Sequence, residues 1–256
     1  MVITTTGIAF ILSSLGLAFC GLHFFKAFKN ISTKQDHSRI GFLLSSHLIA
    51  SASVLGILGL GSLIFAKNPE ALYYILLISH FPLIIGASIG IYLIYYIFFP
   101  RISPRFTVAI AVLLGITIIA STVITHPLPF LNASGSIDWN MSRWLSVLLS
   151  YLVFLQIGST LYIFYKLIFF APSRMVRNFS LFIAIFSFFA LVNHLIRFTF
   201  FAIESADLRT RIYDLVLAFI GISFIIGFLI FPFIRTRISR FSKNHLGEDG
   251  DIPEIK

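Results

Sequence analysis

Long apolar runs alternate with short polar separators along the whole chain. A bilayer-crossing helix needs about 20 mainly apolar residues. Seven runs meet that requirement, at roughly 3–25, 40–66, 72–99, 107–125, 145–169, 179–203 and 212–234. Between them lie the charged run Lys26 to Arg39, then Lys67 to Glu70, Arg101 to Arg105, His126 to Trp144, Ala171 to Asn178 and Glu204 to Arg211. None of these separators is long enough to build a soluble domain. The pattern predicts an all-α polytopic membrane protein: a seven-transmembrane-helix bundle over 1–234 and a short tail over 235–256.

Composition narrows the class. Of 256 residues, 58% are hydrophobic and 11% charged, and the mean hydropathy is +0.96. Soluble domains carry about a quarter charged residues, so an ordinary soluble enzyme, a disordered regulator and a disulfide scaffold are excluded. The single Cys20 can form neither an internal disulfide nor a cysteine metal cluster. A net charge of +9 invites a nucleic-acid reading until its distribution is examined. The first, third and fifth separators, the inner end of span five and the tail hold 14 of the 19 Lys and Arg. Cytoplasmic loops carry such an excess, which predicts an outside N-terminus, a cytoplasmic C-terminus and no nucleic-acid partner. A multi-pass protein of the cell membrane, of the bacterial inner-membrane kind, is the expected setting. The first 25 residues lack a basic n-region and read as a retained signal anchor.

Small residues and aromatics refine the bundle. Gly86 and Gly90 in span three form a GxxxG, with similar spacings at Ala52, Gly56 and Gly59 and at Ser223 and Gly227. Such faces let helices approach closely, and packing within the chain is expected ahead of dimerisation. Pro82 is expected to kink span three. Trp139 and Trp144 are expected as interfacial indoles at the outer end of span five. No internal repeat is visible, so the usual trace of an inverted-repeat transporter is missing.

The residues that are absent exclude chemistry. Intramembrane carboxylates mark proton and ion routes, and only Asp214 lies inside a span, about one turn from its outer end. Ion-coupled pumping is therefore disfavoured. A retinal Schiff base needs an amine, yet the last span has no Lys, and Ala218 stands four residues after Asp214. With neither GxSxG nor HExxH present, an enzyme is not expected.

The polar residues left in the spans make two constellations. Asn193, His194 and Arg197 share one region of span six. A deep Arg requires a partner; Asp214 in span seven is the expected one, with Glu204 as its rival. This group is either a clamp between helices, with the alternative of an Arg snorkelling outward, or an outward-facing pocket for an anionic or polar ligand. In the pocket reading Asn193, His194, Arg197, Tyr213 and Asp214 bind the ligand, and Gln156 and Tyr151 of span five extend the cavity. The second constellation is His47, His80 and His194. His80 and His194 lie at matched depth, about 12 and 13 Å below their outer helix ends, and could ligate one haem b. The simpler alternative is three histidines hydrogen-bonded within the bundle. No cofactor or metal is favoured, and His126 reads as a loop residue.

The tail opens with Arg235, Arg237, Arg240 and Lys243, a run that attracts anionic lipid, and then turns acidic. It is too short for a kinase or cyclase domain, so any output is expected to pass through a cytoplasmic or membrane partner.

The layout resembles the seven-helix N-terminal sensor region of some bacterial histidine kinases and diguanylate cyclases. The likeness covers most of the chain. It rests on the outside N-terminus, the outer loop from Pro127-Leu128 to Trp144, an Arg-containing start to span six, and the Asp214-Leu215 opening of the last helix followed by small residues and a basic exit. That family carries a cytoplasmic catalytic module and this chain stops, so the resemblance implies a free-standing sensor or a chain that serves a different purpose on the same scaffold. The leading expectation is a receptor-like protein binding a small or lipid-soluble ligand in the outer half of the bundle. The alternatives are a haem b electron-transfer subunit using His80 and His194, and a facilitative transporter.

Overall fold

A computed structural model describes residues 3–31, 35–170, 174–199 and 206–227. These form the helices α1 (Thr5–Ile31), α2 (Gln35–Ile64), α3 (Pro69–Phe98), α4 (Arg105–Thr125), α5 (Arg143–Phe170), α6 (Arg174–Thr199) and α7 (Ala206–Ile225). Between α4 and α5 a small antiparallel hairpin pairs β1 (Phe130–Leu131) with β2 (Ile137–Asp138). The first six helices each contain a stretch long and apolar enough to cross a membrane. The chain is an all-α, multi-pass membrane protein. The end of the expected seventh span, Glu204 and the basic tail lie outside the described residues.

The helices run further than hydropathy alone predicts. Most of the charged separator Lys26 to Arg39 is helical, because α1 continues to Ile31 and α2 begins at Gln35. Helical hydrogen bonding continues past the last apolar residue where charged side chains can reach water. At the start of α3, Asn68 caps the helix by accepting from the Ala71 N–H at 3.1 Å, and Pro69 occupies the first turn, where its missing N–H costs nothing. The helix then runs unbroken through Pro82 to Phe98. Hydroxyls inside the spans are accommodated by bonding back to a carbonyl four residues earlier, as Ser46 does to Phe42 and Thr117 to Leu113.

Helix neighbours define a ring. α1 packs on α2 and α7, α2 on α3, α3 on α5, α5 on α6, and α6 on α7, which closes the circuit. α4 stands outside it against α3 and α5. Only 22% of its apolar window is buried, against 44% for α2, so α4 has the largest share left for lipid. α1 and α7 approach backbone to backbone. Ser13 Oγ donates to the Leu217 carbonyl at 2.6 Å, and a side chain at Gly221 would strike the backbone of Leu12 and Ser13.

The hairpin closes one end of the ring. A turn at Asn132–Gly135, with Gly135 N donating to Asn132 O at 3.0 Å, reverses the chain, and Gly135 supplies the positive φ of 82°. The hairpin then folds inward. Ile137 and Trp139 are buried against Phe10 of α1, Leu72 and Leu76 of α3 and Leu217 of α7. Trp139 is 3% exposed and Trp144 66%, so the expectation of two interfacial indoles is corrected for Trp139. It is a core residue, because the hairpin inserts between helix ends instead of lying over them.

Candidate functional site

Below the hairpin the ring encloses a cavity of about 190 Å³. All six ring helices contribute to its wall, and Trp139 and Met141 of the segment after β2 roof it. The wall is mainly Leu, Val, Ile and Phe, and no Lys, Arg, Asp or Glu lines it among the described residues. Its polar side chains include Gln156 of α5, His80 of α3, His194 of α6 and Tyr213 of α7. An engineered apolar cavity of about 150 Å³ takes up benzene. This one has room for a single ring with short substituents.

The floor is a closed polar layer. His47, Gly86 and Thr160 each lie seventeen residues from the hairpin end of their helices, so three helices bring them to one depth, about 25 Å down. His47 is fully buried, with Nδ1 2.7 Å from the Gly86 carbonyl and Nε2 2.7 Å from Thr160 Oγ1. A carbonyl only accepts, so Nδ1 carries the hydrogen; the Thr160 hydroxyl beside Nε2 also lies 2.9 Å from the Gln156 carbonyl, so its one hydrogen is shared between two acceptors. The GxxxG serves this layer. A methyl group at Gly86 would run into the Gln156 amide, and one at Gly90 into Ser159 and His47.

One turn nearer the hairpin the polar groups are incompletely matched. Gln156 Nε2 donates to Ser51 Oγ, which itself donates to the His47 carbonyl at 3.1 Å. That direction fixes the amide, and its Oε1 is buried with no partner. His80 Nε2 meets Thr122 Oγ1 of α4 at 3.1 Å, while its Nδ1 is buried with no partner in full hydrogen-bond geometry, the Leu76 carbonyl interacting with the ring only at its margin. The Leu76 carbonyl, one turn earlier, accepts from Ser79 Oγ at 2.6 Å. Buried polar groups are almost always bonded, so two unmatched atoms on the wall of one cavity mark it as a site.

The sequence-derived residues fall into four sets. Gln156, His194, Tyr213 and His80 line the cavity. Asn193 and Asp214 are buried beside it; Asn193 Nδ2 donates to the Tyr213 carbonyl at 3.3 Å. The side chain of Arg197 lies outside the described residues, as does Glu204, and with them the expected pairing to Asp214. Tyr151 is 63% exposed and faces away from the site it was expected to extend.

One oxygen of Asp214 bonds to the start of α1. Its Oδ2 accepts from Thr6 Oγ1 at 2.7 Å and from Thr5 Oγ1 at 3.3 Å. Both threonines also hold the hairpin. Thr6 Oγ1 accepts from the Ile137 N–H at 3.0 Å, and Thr5 Oγ1 lies 2.9 Å from Ser136 Oγ. Asp214 is thus joined through α1 to the strand that carries the roof. At the rim, His126 caps α4 in a left-handed conformation and its Nε2 lies 3.2 Å from Glu70 Oε2. That pair is exposed and contributes little.

A haem b bridging His80 and His194 draws no support from this geometry. His80 Nε2 is engaged by Thr122, and the cavity volume is that of one ring, far short of a porphyrin. Among the described residues no group of three or more His, Cys, Asp or Glu could hold a metal ion. No protein-family model matches the sequence, and neither does any curated protein.

Proposed function

We propose that the chain is a receptor-like seven-helix membrane sensor that binds a small lipophilic molecule inside the helix ring and signals through a partner. The observation that carries this reading is the roofed cavity with unmatched polar atoms on an apolar wall. Ligand pockets combine such a wall with a few placed polar groups, and the space between bundle helices is a common location. A molecule seated under Trp139 would press on the segment that Thr5 and Thr6 tie to Asp214 of α7. The helix that leads to the cytoplasmic tail is then mechanically connected to the site. α7 is the seventh crossing in this reading, and the hairpin end faces outside because that end holds the few Lys and Arg. The setting is a bacterial inner membrane.

The test is thermal unfolding of the purified full chain with and without p-cresol, beside an Ala190→Phe variant that fills the cavity. A ligand at 100 times its Kd stabilises by about 2.7 kcal/mol, so the midpoint should rise in the wild type and stay fixed in the variant. Equal shifts in both proteins would end the ligand-binding reading. Orientation is tested separately with Ala133→Cys, since the native Cys20 is fully buried. A membrane-impermeant maleimide should label the hairpin from outside intact cells; labelling only after lysis would invert the topology.

A further inference from the structure

The unmatched atoms name the ligand's chemistry. Gln156 Oε1 is an acceptor and nothing else, because Ser51 and the His47 carbonyl fix which way the amide lies. It is lodged on a residue only 4% exposed. His80, 1% exposed, adds Nδ1 on the same wall. Nδ1 is a donor or an acceptor according to tautomer, and a hydroxyl, which both donates and accepts, meets either one. The described wall carries no fixed charge, so an anion would lose its hydration without a countercharge.

Resting on the ligand-binding reading above, we infer that the cavity selects a neutral, single-ring molecule with a hydroxyl group, a phenol or a cyclic alcohol, whose O–H donates to Gln156 Oε1 beside His80 Nδ1. The ring lies against the apolar wall beneath Trp139. Of the anionic or polar ligand expected around Arg197, this takes the polar alternative. The two unmatched atoms on the cavity wall are acceptors or acceptor-capable, and they belong to α3 and α5.

The experiment is fluorine NMR of the full chain in lipid nanodiscs, titrated with 4-fluorophenol and with fluorobenzene. The Ala190→Phe protein serves as the blank for partition into lipid. One net hydrogen bond of about 1.4 kcal/mol is tenfold in affinity, so 4-fluorophenol should bind about tenfold more tightly than fluorobenzene. Gln156→Met keeps the length and removes the acceptor, and there the two affinities should converge. His80→Leu provides a second variant should Gln156→Met fail to fold, and should narrow the preference in the same direction. If fluorobenzene binds the wild type as well as 4-fluorophenol, the hydroxyl proposal is overturned while the ligand-binding reading stands. If neither probe gives a site that the blank lacks, both are overturned. 4-Fluorobenzoate binding more tightly than 4-fluorophenol would also overturn it, in favour of an anion site.

Discussion

His47 and His80 are both buried histidines on adjacent helices, about 9 Å apart in depth, yet their surroundings differ in kind. His47 has a partner on each ring nitrogen, from α3 and from α5, in a layer where Gly86 and Gly90 remove the side chains that would keep the helices apart. His80 has one side-chain partner, from the peripheral α4, and a second nitrogen on the wall of a cavity with only a marginal interaction at the Leu76 carbonyl. The first arrangement holds three helices together. The second keeps hydrogen-bonding capacity in reserve, which a structural role does not need. The ring is therefore closed at the floor and unfilled above it, and a buried histidine is read as structure or site from its second nitrogen.

Substitutions can break this contrast, and the roof gives the largest effect. Trp139→Ala removes a buried indole, and large-to-small changes of this type cost about 3–5 kcal/mol. Unfolding in rising proportions of sodium dodecyl sulfate should register that loss, together with a cavity open to the hairpin end. His47→Leu should cost about 1–3 kcal/mol, since it removes two interhelical hydrogen bonds of the strength measured inside membranes; ligand affinity should change little. His80→Leu reverses that balance. It should cost at most about 1 kcal/mol, because Thr122 keeps its bond to the Ile118 carbonyl at 2.8 Å, while the preference for p-cresol over toluene narrows several-fold. Trp144→Ala, at an exposed position, should stay within about 0.5 kcal/mol of the wild type. If His47→Leu and His80→Leu gave the same profile in stability and in probe affinity, the contrast would fail.

The helices were legible because each apolar run is bounded by charge, and both signals act locally. Their neighbours were not, and the site depends on neighbours. Sequence reasoning put His194, Tyr213 and Gln156 at one cavity and, separately, His80 opposite His194, but not all four on one wall, since that requires the order of helices in the ring. Two hydroxyl partners of Asp214 were missed for a physical reason. A search for an opposite charge looks past hydroxyls, and those of Thr5 and Thr6 satisfy one carboxylate oxygen once α1 and α7 are in contact. Three consecutive threonines at the head of an apolar helix were the available signal. The hairpin was read only as an outer loop because its strands are two residues each. That length leaves no alternating pattern to detect, and with the strands unseen Trp139 was taken for an interfacial residue.

In the proposed function, the space under Trp139 is a saturable binding site for a small ring. Trp139 can report on it directly, because the chain has only two tryptophans and Trp144→Phe leaves Trp139 as the sole indole. Its fluorescence would be followed in nanodiscs during titration with 4-bromophenol, whose heavy atom quenches on contact. The account predicts quenching that saturates, and that Ala190→Phe abolishes the saturable part. Quenching that rises linearly with concentration and is the same in both proteins would mean that the probe dissolves in the lipid and never enters the ring.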